Sequence, residues 1–290
     1  MPLNTETTNN IAFLLLVHKD AKQVDRLIKK LTHPNFYFFI HVDKKEAIDN
    51  YTFLADNERT VVLTEQINVK WGGYSIVGAT LVALKAAIAQ NIFSTFTVMS
   101  GQDFPIKSNQ YIHRFFQEHT NNSFIYHEEN NLAWWKGCNK RIEQIHFTEK
   151  EFKGKDRIAW FMSKFMPKRE IPLGAPLYGG PGSGWWAISL AAAKAILNRL
   201  ESDTELVKFL QYTWASDEFI IQSILMQSDE KKHAILRSLW HMHWPKDTAN
   251  PSILRSDNFN ELIASDALFA RKFDESVDAA ILEKLEDYTK

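Results

Sequence analysis

The chain has 290 residues, 45% of them hydrophobic and 24% charged, with a formal net charge of −1. That length holds a sizeable core, and that balance excludes a disordered polyelectrolyte and a global field that would recruit nucleic acid. One cysteine, Cys138, excludes an internal disulfide, and the apolar run over 11–17 is too short to span a bilayer.

Residues 11–17 are continuously apolar, as in a central parallel strand covered on both faces. The run stops at His18-Lys19-Asp20, after which Val24, Leu27, Ile28 and Leu31 keep helical spacing. A second strand is expected over 36–42, ending at Asp43-Lys44-Lys45, and a short third over 60–63. A long helix follows over 75–89, then a strand over 96–99 broken by Ser100-Gly101-Gln102-Asp103-Phe104-Pro105. A helix over 109–117 and a strand over 123–126 complete a strand–helix alternation, which implies an α/β fold with a doubly wound sheet.

Residues 128–183 read as irregular, mixing Trp134, Trp135, Lys136, Lys140 and Arg141 and ending in a Gly/Pro-rich stretch over 174–184. So long a segment inside a domain points to function, and its aromatics argue against disorder. A strand over 185–188 and a helix over 191–200 come next. In Trp214-Ala215-Ser216-Asp217-Glu218-Phe219, Ser216 is expected to cap a helix and to place Asp217 and Glu218 in its first turn. The helix dipole favours acids there whatever their chemistry. A strand over 234–240 and helices near 257–265 and 275–288 close the chain.

In open α/β sheets, ligands bind beyond the carboxyl ends of the strands. Three polar clusters fall there: His18-Lys19, Asp43-Lys44-Lys45 and Ser100 to Asp103. Acids toward ribose or base and lysines toward phosphates suit a nucleotide. Glycine-rich dinucleotide and P-loop signatures are missing, as is the hydrolase G-x-S-x-G. His241-x-His243 is a candidate metal pair, but two ligands with no acid nearby do not make a zinc site, and a structural role beside Trp240 and Trp244 is the simpler account. No Asp-x-Asp triplet is present to hold a divalent ion on a diphosphate. A leaving diphosphate would then need protein cations, for which Lys272 and the adjacent Arg271 are candidates.

Seven short stretches in order resemble the core-2/I-branching β-1,6-N-acetylglucosaminyltransferase and peptide O-xylosyltransferase family. They are Val17-His18-Lys19, His41-Val42-Asp43-Lys44-Lys45, Trp71-Gly72-Gly73-Tyr74-Ser75, the run from Ser100 to Lys107, Gly182-Ser183-Gly184-Trp185-Trp186, Ser216-Asp217-Glu218, and the run from Leu268 to Asp274. The resemblance implies a GT-A-type fold with a mostly parallel central sheet, and a UDP-sugar donor. It also implies inversion at the anomeric carbon with no metal or other cofactor required. It points to Glu218 as general base and to Lys272 on the diphosphate. The nucleotide is then expected at Val17, His18, Asp43, Ser100, Gln102 and Asp103. A second phosphate cation is expected upstream of Lys272, where Ser252 stands, which leaves Arg255, Lys246 and Arg271 to replace it.

For the acceptor or sugar pocket the resemblance points to Trp135, Lys140, Arg141, Ser183 and Asp217. Trp185 and Trp186 either shape the pocket or fill core. A single domain over 1–290 is expected, with a nucleotide half over 11–127, an acceptor and catalytic half over 128–274, and a C-terminal helix over 275–288. The sugar expected is GlcNAc, passed to a hydroxyl of a glycan or glycoconjugate. UDP-xylose, UDP-glucose and a non-catalytic glycan-binding module are the alternatives. Met1 to Glu6 lack the basic stretch of a signal peptide, so a cytoplasmic protein, in contact with the inner membrane face or free of it, is expected. No nucleic-acid partner is expected.

Overall fold

The computed structural model describes residues 9–129, 133–174, 176–245, 248 and 250–290. Its strands are β1 (Asn10–Val17), β2 (Phe36–Val42), β3 (Thr60–Val62), β4 (Phe93–Ser100), β5 (Asp103–Pro105), β6 (Ser123–Ile125), β7 (Ala187–Ser189), β8 (Ala234–Leu236), β9 (Trp240–Met242) and β10 (Phe269–Arg271). Seven form the main sheet in the order β3-β2-β1-β4-β7-β6-β8. Only β7 runs against its neighbours, so the sheet is mainly parallel. A small second sheet has the order β5-β10-β9.

The apolar run of β1 is continuous because both faces of the sheet are covered. Ile11, Phe13, Leu15 and Val17 enter one core with Val24, Leu27 and Ile28 of helix Ala21–Lys30. Ala12 and Leu14 enter the other with Val77, Ala83, Leu84 and Ala87 of helix Ser75–Ala89. Phe13 is fully buried, with ring centroids of Phe36, Phe38 and Phe269 at 5.2, 5.5 and 6.1 Å. Phe269 belongs to β10, so this aromatic cluster fastens the small sheet to the large one. Burial of one such ring stabilises by a few kcal/mol, on the order of 2–3.

Four expectations from the sequence need correction. Residues 128–183 are not irregular throughout, for they hold helices Ala133–Glu143 and Lys155–Phe165. The first buries Trp135, Cys138 and Ile142 at helical spacing, a stripe that Gly137 and the surrounding basic residues obscure. Residues 234–240 are not one strand, because the chain leaves the main sheet after β8 and joins the small one at β9. Ser216 does not cap a helix. Its hydroxyl is buried without a hydrogen-bond partner among the described residues, in a 3-10 turn Ser216–Glu218 that precedes helix Ile220–Gln227. The last helix starts at Ala279, capped by Asp278, whose carboxylate accepts from the Ile281 N–H.

Register brings the polar clusters together. Val17 is opposite Val42 in β1–β2, and Leu16 is opposite Ser100 in β1–β4. The Asp43 N–H then donates to the Val17 carbonyl at 2.8 Å. Three loops therefore leave one edge of the sheet side by side. No helix among the described residues is long and apolar enough to cross a membrane. Met1 to Glu6 and Lys246 lie outside the described residues.

Candidate active site

A cavity of about 510 Å³ opens at that edge, walled by the ends of β1, β2 and β4 and by the Trp71, Gly182 and Trp214 segments. A shallower groove of about 740 Å³ lies between helices Ala21–Lys30 and Ala279–Tyr288. Its charges pair with one another, Arg26 with Glu275 and Glu286, and it is not the site.

Tertiary packing fixes the backbone of Glu218. Ala215 sits in the left-handed region at φ 51°, and its N–H donates to the Gly72 carbonyl at 2.7 Å. Gly72, at φ 70°, lies so close that a Cβ there would meet the Trp214 ring at 2.9 Å. On the other side, the Ser183 hydroxyl and the Gly180 N–H both donate to the Glu218 carbonyl, the latter at 3.2 Å. The Gln222 amide donates in turn to the Ser183 carbonyl.

The Glu218 carboxylate faces the cavity and accepts from Arg141 Nη1 at 2.5 Å, on Oε2. Arg141 also lies over the Trp134 ring, 5.5 Å from its centroid. Asp217, beside Glu218, has an Oδ1 with no hydrogen-bond partner among the described residues. Burial, reinforced by the Glu218 charge, pushes its pKa up to about 7.

Another part of the wall, at Arg271 and Lys272, is cationic. Arg271 is 7% exposed, stacks on the Trp185 ring at 3.5 Å from its centroid, and lies 3.6 Å from Asp103 Oδ1. Asp103 is buried and accepts from the Ser100 N–H and from Trp185 Nε1. Burial acts against both charges, raising Asp103 and lowering Arg271, while their mutual attraction opposes it. Arg271 Nε and Nη1 have no hydrogen-bond partner among the described residues. Lys272 also lines the cavity, and burial, then Arg271 and Lys19, hold its pKa below the ordinary lysine value. Burial and then Lys19 lower the pKa of His18 below the ordinary histidine value. An anion at this wall would relieve the crowding of Lys272 and Arg271.

Gln23 ties the loop after β4 to this wall, donating to the Gly101 carbonyl at 2.7 Å and to Phe273 at 3.3 Å, while accepting from the Glu275 N–H. Gln102 donates to the Phe273 carbonyl as well. Asp43 also lines the cavity, is buried and accepts from the Lys45 N–H.

The cavity brings together Val17, His18, Asp43, Ser100, Gln102, Arg141, Trp185, Trp186, Asp217, Glu218, Arg271 and Lys272. The other expected site residues lie elsewhere. Asp103 sits beneath the wall, and Ser183 is buried behind Glu218. Trp135 is core, its indole donating to the Glu128 carbonyl at 2.8 Å. Lys140 is exposed outside the cavity, because Trp134 and Arg141, seven residues apart, share the inward helix face and Lys140 does not. Arg255 is exposed at the start of the 3-10 turn Ser256–Asn258, where its N–H donates to Asn258 Oδ1. His241 Nε2 lies 3.2 Å from Glu261 Oε1, and no group of three metal-ligating side chains occurs among the described residues.

Sequence reasoning missed Trp71, Trp134, Trp214 and Trp244 as cavity residues. Six of the nine tryptophans line this one cavity, and that abundance was the available signal. Flat aromatic walls with a few convergent charges suit a small polar ligand that carries apolar faces.

The family model for the Core-2/I-Branching enzyme matches residues 11–263. The chain is similar to Xylosyltransferase 2 of Rattus norvegicus, 24% identical over 302 residues that cover 95% of this chain and 33% of the relative. It is similar to Xylosyltransferase 1 of the same organism, 22% identical over 303 residues that cover 96% and 35%. The chain thus spans about a third of the length of these curated relatives. Among solved structures it is similar to a glycosyltransferase involved in the glycosylation of the major capsid of PBCV-1. There the TM-score is 0.38 and the identity 11%, covering 95% of this chain and 99% of that one.

Proposed function

The chain belongs to the Core-2/I-Branching enzyme family, and from that membership we propose that it is an inverting glycosyltransferase. It takes a UDP-sugar, GlcNAc in the first instance, and transfers the sugar to a hydroxyl of a glycan or glycoconjugate without a divalent metal. Residues 11–127 hold the nucleotide, and residues 128–274 supply the base and the acceptor site.

The reaction is a single displacement. Glu218 takes the proton of the acceptor hydroxyl as that oxygen attacks the anomeric carbon. The bond from that carbon to the diphosphate oxygen breaks on the opposite face, and its electron pair leaves with UDP. Lys272 and Arg271 balance the charge that develops there. Arg141 holds one oxygen of Glu218, so the other is aimed at the acceptor. Trp185, fixed between Arg271 and Asp103, offers a flat face to the sugar.

The observation that carries this reading is that Glu218 and Lys272 line the same cavity. A second reading, with UDP-xylose as donor, is favoured by the names of the relatives, both xylosyltransferases. Calorimetric titration with UDP-GlcNAc, UDP-xylose, UDP-glucose and UDP, each with EDTA and with Mn²⁺, tests both. Uridine-dependent binding that survives EDTA is expected, tightest for UDP-GlcNAc. Tightest binding of UDP-xylose would establish the second reading, and failure of every uridine nucleotide to bind would refute both.

A further inference from the structure

Helix Lys155–Phe165 buries none of its side chains. Ile158, Phe161 and Phe165 recur at three- and four-residue spacing on one face and are 46%, 58% and 63% exposed. The Phe161 and Phe165 rings lie 4.6 Å apart, so the apolar face is already assembled. Just past the helix, Met166 is exposed as well, and Trp160 is exposed on the adjoining face. Soluble proteins rarely leave a contiguous apolar patch of this kind without a partner.

The charge around the patch identifies the partner. Residues 150–169 carry seven lysines and arginines against two acids, in a chain whose formal net charge is −1. Lys155 and Lys168 are used in ion pairs with Glu151 and Glu143. Arg169 donates to the carbonyls of Gln144, Phe209 and Tyr212. Lys153, Arg157 and Lys164 are exposed and form no ion pair among the described residues. Lys164 lies 4.9 Å from the centre of the Trp160 ring, placing a cation beside an indole at the rim of the patch.

A second copy of the same face would bring these free cations against one another. An anionic surface neutralises them. Eleven residues cannot cross a bilayer, but an aromatic face with a basic rim suits the plane of the headgroup boundary. We infer that helix Lys155–Phe165 docks the protein on an anionic phospholipid bilayer, with Phe161 and Phe165 in the interface and Lys153, Arg157 and Lys164 on lipid phosphates.

The helix is coupled to two elements of the cavity wall. Ser163 accepts from the Ile145 N–H just after the helix that carries Arg141, and Glu149, just before it, accepts from the Ser75 N–H beside the Trp71 turn. Docking therefore orients the cavity with respect to the lipid surface, and it does so whether or not the transferase reading holds.

Co-sedimentation of the full chain with phosphatidylcholine vesicles, with and without phosphatidylglycerol, tests the inference without any measure of turnover. The parent is expected to pellet with the anionic vesicles and to stay in solution with the zwitterionic ones. The triple variant Lys153→Gln, Arg157→Gln, Lys164→Gln is expected to bind about a hundredfold more weakly, roughly fivefold per basic residue. The pair Phe161→Ser, Phe165→Ser is expected to lose binding while melting like the parent, since the rings are exposed. Should that pair fail to fold, the charge variant decides alone. Three results would overturn the inference. The first is no partition of the parent onto anionic vesicles, and the second is equal partition of the charge variant. The third is a solution dimer that the phenylalanine pair abolishes.

Discussion

Gly179 is the position at which one methyl group is expected to disturb the proposed base without touching its chemistry. A Cβ there would lie 2.2 Å from the Glu218 carbonyl oxygen and 2.7 Å from Phe219 Cα and Cβ. The obstacles are mainly backbone, so no side-chain rotation relieves them, and the two segments must part by roughly an ångström to reach ordinary contact. Overpacking of this kind costs about 1–3 kcal/mol. Parting the segments also stretches the Gly180 N–H to Glu218 hydrogen bond, worth about 1 kcal/mol. The backbone of Gly179 is not left-handed, so alanine recovers about 0.4–1 kcal/mol from the unfolded chain. The net loss for Gly179→Ala is then about 1–3 kcal/mol, several degrees in Tm by scanning calorimetry. A displacement of an ångström at Glu218 is expected to lower turnover by about a hundredfold. Gly137→Ala, with nothing within 4 Å of its Cβ and a position inside helix Ala133–Glu143, is the control and is expected to gain up to about 1 kcal/mol. A Gly179→Ala protein that melts and turns over like the parent would show that this contact does not hold Glu218 in place.

Lys272→Ala is expected to weaken UDP binding about 10- to 100-fold in calorimetric titration, the loss of one charge-assisted contact. Without ligand the same variant is expected to melt no lower than the parent, because burial and Arg271 oppose the Lys272 charge; a lower Tm would assign it a structural role instead. Asp217→Asn carries a pH signature. The folded chain holds the Asp217 proton up to about pH 7, whereas the unfolded chain releases it in the ordinary carboxylate range. The stability contributed by this group therefore falls as pH rises through that window. Calorimetric scans are expected to show a larger gain for Asp217→Asn above the window than below it, and an equal gain at both ends would contradict the burial of that carboxyl.

The elements visible in the sequence were those whose pattern is local. The runs of β1 and β2 and the whole of helix Ser75–Ala89 declared themselves because burial on both sheet faces, or helical spacing, is written in consecutive residues. Helix Lys155–Phe165 did not, because its apolar residues face outward and its pattern belongs to no core. Strands β5, β9 and β10 have three residues each, too few for a period, and β10 pairs with β5 from far along the chain, Phe269 opposite Pro105. Ser216 read as a helix cap on local preference, but Gly72 captures the Ala215 N–H and turns the backbone left-handed first. The cavity followed the same division. Strand-end residues such as His18, Asp43 and Ser100 were legible because a parallel sheet brings its carboxyl ends together. Trp71 and Trp214, whose rings meet at 5.0 Å, come from segments that only tertiary packing joins.

The most direct test of the proposed chemistry is Glu218→Gln, measured for UDP affinity by calorimetry and for sugar transfer in the same preparation. The amide keeps the size of the side chain and removes its capacity to accept a proton. UDP binding close to that of the parent, with turnover lower by about a hundredfold or more, is the expected result. Transfer at the parental rate would contradict the assignment of Glu218 as the base.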